Sequence, residues 1–222
     1  MDTGYRRGAC SVKRRVPVPS ERLALTLALP AKPVAYGTRV TGRVAGPTAA
    51  GGRRVAIEAW REGAWRKVAS GTTRADGTAA VTWAATRGDL LRAALVREEG
   101  LPDGESEPGT LQVVARVTVT ADPPDRNLAA NTVVRYTVTV APASPATRFV
   151  PDRGPTATVE VRFGNEWRQV SSGVAATAGS RSTWTFDVRW TRGLWRIRFS
   201  WAAWGDPEVS PVESAWLVVN AR

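Results

Sequence analysis

The sequence predicts an all-β protein made of two tandem antiparallel β-sandwiches of about seven strands each. Three observations support this prediction. Apolar and polar residues alternate with a period of two, short turns rich in Gly and Asp separate the alternating segments, and the second half of the chain repeats the first. The length of 222 residues suits a pair of domains of roughly 100 residues each.

The internal repeat is clearest around one tryptophan in each half. Residues 55–59 and Trp65 correspond to residues 157–161 and Trp167, about 100 positions later. The other matching segments are 86–95 with 191–199, and 111–114 with 216–219. We therefore expect one domain at 20–115 and a second at 116–222, joined with almost no linker.

The alternating segments predict the strands. In the second half, Trp184, Phe186 and Trp190 fall on one face of their segment, which is typical of a half-buried strand. The first half builds the same faces from smaller residues, so its core should be thinner. The predicted strands are 23–29, 37–45, 53–60, 64–71, 77–85, 89–97, 107–115, 116–121, 131–141, 156–163, 166–173, 181–190, 193–202 and 210–220.

Residues 1–19 predict a basic, flexible arm before the first domain. The arm is rich in Arg and Lys but lacks the apolar segment of a signal peptide, so no export signal is recognised. The sequence has no run of about 18 apolar residues, so it predicts no membrane-spanning helix. The net charge of +11 is spread along the chain, and no nucleic-acid partner is expected.

The residue inventory argues against an enzyme. The chain has no histidine, the commonest general base, and one cysteine, Cys10, which rules out a cysteine-rich zinc site. Neither a phosphate-binding loop ending in Lys-Ser/Thr nor a Gly-x-Ser-x-Gly motif is present. We therefore expect no catalytic residue and no cofactor.

Part of the first half resembles a known family. The runs 37–44, 55–57, 65–69 and 72–77 are similar to bacterial immunoglobulin-like repeat domains of secreted and surface proteins. The resemblance covers 20–115; the second copy keeps the tryptophan and the strand order but has Ala178-Gly179-Ser180 in place of the Thr-x-x-Asp-Gly turn. It implies an immunoglobulin-like sandwich used as a stalk, spacer or adhesive module, outside the cell or on its surface.

Two residues at equivalent positions are candidates for a ligand or an interface. Trp60 stands where the second copy has Arg162, on the opposite parity from the inward residues of its strand. A position that accepts Arg is expected to be exposed, and an exposed Trp stacks on sugars or seats a protein partner. The alternative for Trp60 is simple packing against Trp65 across the hairpin.

The second candidate region is the junction between the two halves. Trp204 is predicted to pack there or to contact a ligand, and Asp122, Asp125 and Asp206 are the weaker candidates for a calcium site, since Ca²⁺ binds clustered carboxylate oxygens. Apart from this calcium, no metal is expected.

Three functions remain open from the sequence. The leading hypothesis is a non-catalytic structural or adhesive spacer of a bacterial surface or secreted assembly, with a protein or a cell-surface polymer as partner. The alternatives are a carbohydrate- or cell-wall-binding module that uses exposed Trp, and a decoration or spacer protein of a phage virion or similar assembly.

Overall fold

The computed structural model describes residues 22–143, 155–174, 176, 178–179, 182–201 and 209–222. The predicted arm at 1–19, Trp204 and Asp206 lie outside these residues. The described chain is all-β, as predicted, with one 3₁₀ turn at Thr48–Ala50 as its helical element.

From residue 22, where the description begins, the first half forms ten strands, several of them very short. These are β1 (Leu23–Ala28), β2 (Val34–Ala35), β3 (Thr38–Ala45), β4 (Arg54–Arg61), β5 (Ala64–Thr72), β6 (Ala79–Ala85), β7 (Asp89–Leu95), β8 (Gly104–Ser106), β9 (Gly109–Leu111) and β10 (Val113–Val114).

Eight of these ten strands form one continuous sheet, whereas β2 and β10 lie in a separate sheet. The order is β5-β4-β7-β8-β1-β3-β6, with β9 also paired to β7. β1 makes the path continuous because Leu23–Leu25 pair in parallel with β8, whereas Thr26–Ala28 pair antiparallel with β3. The terminal strands β5 and β6 are in contact, so the sheet nearly closes into a barrel. The first half is therefore not clearly the separate seven-stranded sandwich that the sequence predicts.

The described residues of the second half form eleven strands. These are β11 (Arg116–Asp122), β12 (Asn127–Leu128), β13 (Val133–Ala141), β14 (Thr156–Phe163), β15 (Glu166–Val174), β16 (Ala178–Gly179), β17 (Thr183–Arg189), β18 (Gly193–Trp201), β19 (Val209–Ser210), β20 (Val212–Glu213) and β21 (Leu217–Ala221).

The second half is built from two facing sheets. One has the order β11-β13-β17-β16, and the other has the order β12-β21-β18-β14-β15 with β20 also paired to β18. Aromatic rings fill the space between them. Phe199 of β18 lies 5.7 Å from Tyr136 of β13 and 5.0 Å from Phe186 of β17, measured between ring centroids. Trp184 and Trp201 meet in the same way at 5.5 Å.

The two cores differ in residue size, as the alternation predicted. Ile57 and Leu91 are among the largest fully buried side chains of the first half, whereas Trp190, Trp201 and Tyr136 occupy the second. Since burial of apolar area stabilises by roughly 25 cal/mol per Å², each aromatic ring contributes more to the core than an Ala or a Val at the matching position.

Each half ends differently from the prediction. The segments 107–115 and 210–220 were each predicted as one strand, but both are broken into shorter pieces. Pro108 precedes β9, and Pro211 separates β19 from β20. A proline has no N–H to donate to a neighbouring strand, so the pairing stops at these two positions. The break between β9 and β10 lies at Gln112, where the chain changes partner: β9 pairs with β7, whereas β10 pairs with β2 and β19.

The two halves meet at β10. This strand pairs in parallel with β2 of the first half on one edge and with β19 of the second half on the other. Val113 and Ala115 are 1% exposed, and the buried residues of both halves form one contiguous cluster through this region. The cores are therefore joined and not separated by a solvated linker.

Candidate functional site

A cluster of Glu, Arg and Trp lies on the outer face of the first sheet. The Arg92 Nε donates to Glu58 Oε2 at 3.0 Å, and Arg92 Nη1 donates to Glu105 Oε2 at 2.7 Å. The Arg92 guanidinium carbon lies 4.3 Å from the ring centroid of Trp65, within the range of a cation–π contact. Arg22 Nη1 donates to the other oxygen of Glu105 at 2.8 Å. The result is a chain of alternating charges beside an aromatic ring.

The second half carries the same cluster. Arg196 Nε donates to Glu160 Oε2 at 2.6 Å, and the Arg196 guanidinium carbon lies 4.4 Å from the centroid of the Trp167 ring. Glu160, Trp167 and Arg196 occupy the positions of Glu58, Trp65 and Arg92 in the internal repeat. The repeat is thus a repeat of contacts as well as of residue types.

Strand register explains why the cluster recurs. Glu58 stands opposite Arg92 on β7, and Glu160 stands opposite Arg196 on β18. An irregularity in the pairing follows Ile57 in one half and Val159 in the other, at equivalent positions. A bulge re-aims the side chains next to it. Sequence reasoning did not single out this cluster, although the same three residue types at outward positions of both copies were a usable signal.

The two clusters differ beside the arginine. In the second half, Arg198 stands opposite Thr158, pairs with Glu213 and lies 4.6 Å from the centroid of Trp216. In the first half the corresponding pair is Ala94 opposite Ala56. The smaller residues leave a cleft of about 430 Å³, bordered by Glu58, Arg92 and Glu105 among others.

Trp60 lies one row further along the same outer face. It pairs directly with Trp65 across the β4–β5 hairpin, and the two rings meet edge to face with centroids 5.3 Å apart. Trp60 nevertheless remains 46% exposed. Trp60 therefore packs against Trp65 and also keeps an exposed surface that a ligand would use.

Arg162, the counterpart of Trp60, is turned towards its own hairpin. Its Nε donates to the carbonyl oxygen of Gly164 at 3.0 Å, and Nη2 donates to Asn165 Oδ1 at 3.3 Å. The side chain is exposed and stands opposite Trp167. Two of its donors are thus already used within the turn.

The structure places two of the three calcium candidates. Asp122 and Asp125 are both exposed, and Asp122 stands opposite Arg135 on β13. Arg135 donates to both oxygens of Asp187, at 2.8 and 3.0 Å, and these hydrogen bonds lower the pKa of the Asp187 carboxyl. Within the described residues no three acidic, His or Cys side chains come together in a way that would hold a metal ion.

Comparison with known proteins adds no relative. No protein-family model matches this chain, and no curated protein matches it. The resemblance to bacterial immunoglobulin-like repeats therefore stays a prediction from the sequence. In the part of the chain that the structure describes, no helix is long and apolar enough to cross a membrane.

The outer faces of the two halves combine ion pairs with aromatic rings. Their acids and bases are arranged as ion pairs, and their aromatic rings are stacked on cations. Such groups offer fixed donors, acceptors and a flat apolar surface to a ligand or a partner. Among the described residues, the first half leaves this surface open, whereas Trp216 covers it in the second.

Proposed function

We propose that the chain is a tandem pair of immunoglobulin-like sandwiches that serves as a rigid, non-catalytic spacer in a bacterial surface or secreted assembly. The facing sheets of the second half and the repeated register support the tandem reading. A rigid spacer holds its two ends at a fixed distance and orientation, so its two halves must not move relative to each other. A virion spacer needs the same property, and immunolocalisation of the protein separates these two settings.

The junction carries this proposal. Ala115 N–H donates to Ser210 O at 2.9 Å, and Tyr36 N–H donates to Val114 O at 2.8 Å, so this short segment is hydrogen-bonded to both halves. Arg116 then begins β11 without an intervening loop. A connection that is both short and paired on two edges resists bending, unlike the exposed linkers that allow domain motion.

Insertion of Gly-Ser-Gly between Ala115 and Arg116 is expected to release the two halves from each other. The insertion leaves the β10–β19 pairing in place but removes its short covalent tether, and a parallel pair of two residues is too short to hold the halves together by itself. Backbone ¹⁵N relaxation should give one rotational correlation time for both halves of the wild type and two different times for the insertion variant.

The same insertion in the β4–β5 turn, between Glu62 and Gly63, is the matched control. It adds equal length at an exposed hairpin tip, so the single correlation time should remain. Independent tumbling of the two halves in the wild type would contradict the spacer proposal.

Carbohydrate binding is the second candidate function, and the exposed ring of Trp60 is the observation that favours it. A ring that is 46% exposed beside fixed ion pairs provides stacking together with hydrogen-bonding groups. If this function holds, Trp60→Arg, which installs the residue of the second copy, should reduce binding to a polysaccharide array at least tenfold. Val170→Ser, another exposed apolar site, should leave it unchanged.

A further inference from the structure

A second cavity, of about 330 Å³, lies at one end of the nearly closed sheet of the first half. At this end β4 and β6 finish, β5 and β7 begin, and β5 meets β6. We call it the seam pocket, and its polar and aromatic lining consists of Arg61, Lys67, Trp83, Thr86, Arg87 and Asp89. Its volume is at the lower end of the roughly 300–1,000 Å³ typical of small-molecule sites, which often lie in the mouths of barrels.

A buried carboxylate holds the arginines of the seam pocket in place. Asp89 is 8% exposed, and its side chain accepts from both Nε and Nη2 of Arg61, the first at 3.2 Å. Arg87 Nε lies 3.5 Å from Asp89 Oδ1. The side chains of Arg61 and Arg87 nevertheless remain 31% and 38% exposed. Both guanidinium groups are therefore oriented by Asp89 and still face solvent.

The seam pocket has more positive than negative charge. Three cations line it, against Asp89 as the one acid among the described residues of the lining. Glu58 stands opposite Lys67, but its Oε2 accepts from Arg92 at 3.0 Å, and Lys67 forms no ion pair within the described residues. A concave site with an excess of cations attracts anions strongly, because its low-dielectric walls focus the electric field.

The second half forms the equivalent place without these charges. The residues that stand in place of Arg61, Lys67 and Asp89 are Phe163, Gln169 and Gly193. The correspondence follows from strand position: Arg61 and Phe163 each end the first strand of their hairpin, and Asp89 and Gly193 each begin the strand paired with it. Since the hairpin and its neighbouring strand form in the second half without these charges, their presence in the first half points to binding.

We propose that the seam pocket binds an organic anion of about monosaccharide size through its carboxylate or phosphate group. Arg61 already gives two donors to Asp89, so Arg87 and Lys67 supply the main contacts to the anionic group. The half-buried ring of Trp83 offers a flat face to the rest of the ligand. A neutral sugar does not use the excess of cations, so the pocket selects acidic ligands.

NMR titration of the ¹⁵N-labelled protein with glucuronate, glucose 6-phosphate and glucose tests the proposal. The two acidic sugars should shift the amide signals of Lys67 and Arg87 with a Kd on the order of 1 mM that weakens as salt is added. Glucose should leave these signals unchanged. Inorganic phosphate should bind more weakly than glucose 6-phosphate, because it has no part that contacts Trp83. Equal affinities for these two phosphates would overturn the assignment to an organic anion.

Two substitutions locate the site. Lys67→Gln, which installs the residue of the second copy, and Arg87→Gln each remove one cation and should weaken glucuronate binding by about fivefold or more. Lys67 is exposed, so Lys67→Gln keeps the fold even if Arg87→Gln does not. Arg43→Gln is the matched control. It removes the same charge from an exposed position of β3, opposite Ala80 at the far end of β6, and should bind like the wild type.

Lys67 also borders the cleft beside Arg92, and Arg97→Gln distinguishes the two cavities because Arg97 lines that cleft and not the seam pocket. This variant should bind glucuronate like the wild type. The proposal would be overturned if binding were lost in Arg97→Gln, if it survived both Lys67→Gln and Arg87→Gln, or if neither acidic sugar shifted any signal at about 20 mM. None of these results alters the relaxation test of the spacer.

Discussion

Replacement of Gly77 by alanine is expected to lower the free energy of unfolding by about 3 kcal/mol and the Tm by roughly 10 °C. Gly77 adopts a φ of +82°, a left-handed conformation that costs an L-residue about 1–2 kcal/mol. A Cβ there would also overlap the backbone carbonyl oxygens of Pro47 and Gly46, the second at 2.6 Å. Backbone atoms cannot rotate away, so the turn itself has to move.

The turn around Gly77 is held by several hydrogen bonds that this movement would disturb. Gly77 N–H donates to Arg74 O at 2.9 Å, and Thr78 N–H donates to Asp76 Oδ1 at 2.9 Å. The Thr78 hydroxyl and N–H hydrogen bonds lower the pKa of the Asp76 carboxyl. Moving the turn to relieve the methyl clash therefore also weakens these hydrogen bonds.

Gly37→Ala separates the two causes. Gly37 has a φ of +78°, almost that of Gly77, but an added Cβ meets no atom within 4 Å. This control should cost only about 1 kcal/mol. Urea unfolding followed by tryptophan fluorescence measures both variants. Equal losses of unfolding free energy in the two variants would show that the overlap between the Cβ added by Gly77→Ala and the neighbouring backbone contributes nothing.

Alkaline destabilisation is the second large effect, and Tyr136 is its expected source. Tyr136 is 1% exposed, and burial raises the pKa of its hydroxyl to about 12 from an ordinary value of 10.0. The indole N–H of Trp190 opposes this increase without cancelling it. Among the described residues the Tyr136 hydroxyl has no partner with the geometry of a hydrogen bond.

The direction of the pH effect follows from this raised pKa. The unfolded chain releases the Tyr136 proton near pH 10, whereas the folded chain holds it until about pH 12. Stability is therefore complete below pH 10 and falls as the pH rises towards 12, because ionisation favours the unfolded chain. A difference of about two pKa units corresponds to about 3 kcal/mol.

Tyr136→Phe should remove this part of the alkaline loss and leave stability near neutral pH equal or slightly higher, since it deletes a buried hydroxyl for which the described part of the chain supplies no hydrogen-bond partner. Urea midpoints at pH 8, 10 and 11.5 for both proteins measure the difference. Tyr36→Phe, at a half-buried tyrosine, is the control and should retain the loss assigned to Tyr136. Parallel pH curves for wild type and Tyr136→Phe would refute the assignment.

The alternation of side chains was enough to predict most strands. Trp184 and Phe186 point into the core as their parity required, and β4, β5 and β14 begin within a residue of their predicted starts. Short extended segments with one apolar face have few other ways to bury that face. The last strand of each half was predicted less well, because the pairing changes inside an otherwise suitable apolar pattern. The chain changes partner at Gln112, between β9 and β10, and Pro211 separates β19 from β20.

The outer-face cluster shows the limit of sequence reasoning about the site. Glu58, Trp65 and Arg92 were all inside the repeated segments, yet parity alone says only that they face outward. Their contact depends on the pairing of three strands and on the irregularity after Ile57. For Trp60 the sequence predicted an exposed position and, as the alternative, packing against Trp65 across the hairpin; the packed sheet shows that both occur together.

The sequence by itself determined the all-β class, the repeat and the inward faces, because these depend on local alternation and on turn residues. The tertiary structure decided that β1 joins two sheets, that β10 is paired on both edges, and that a cleft opens beside Arg92. Each of these depends on partners that lie far apart along the chain. The choice among such partners is made by the packing of the whole core, which no local pattern encodes.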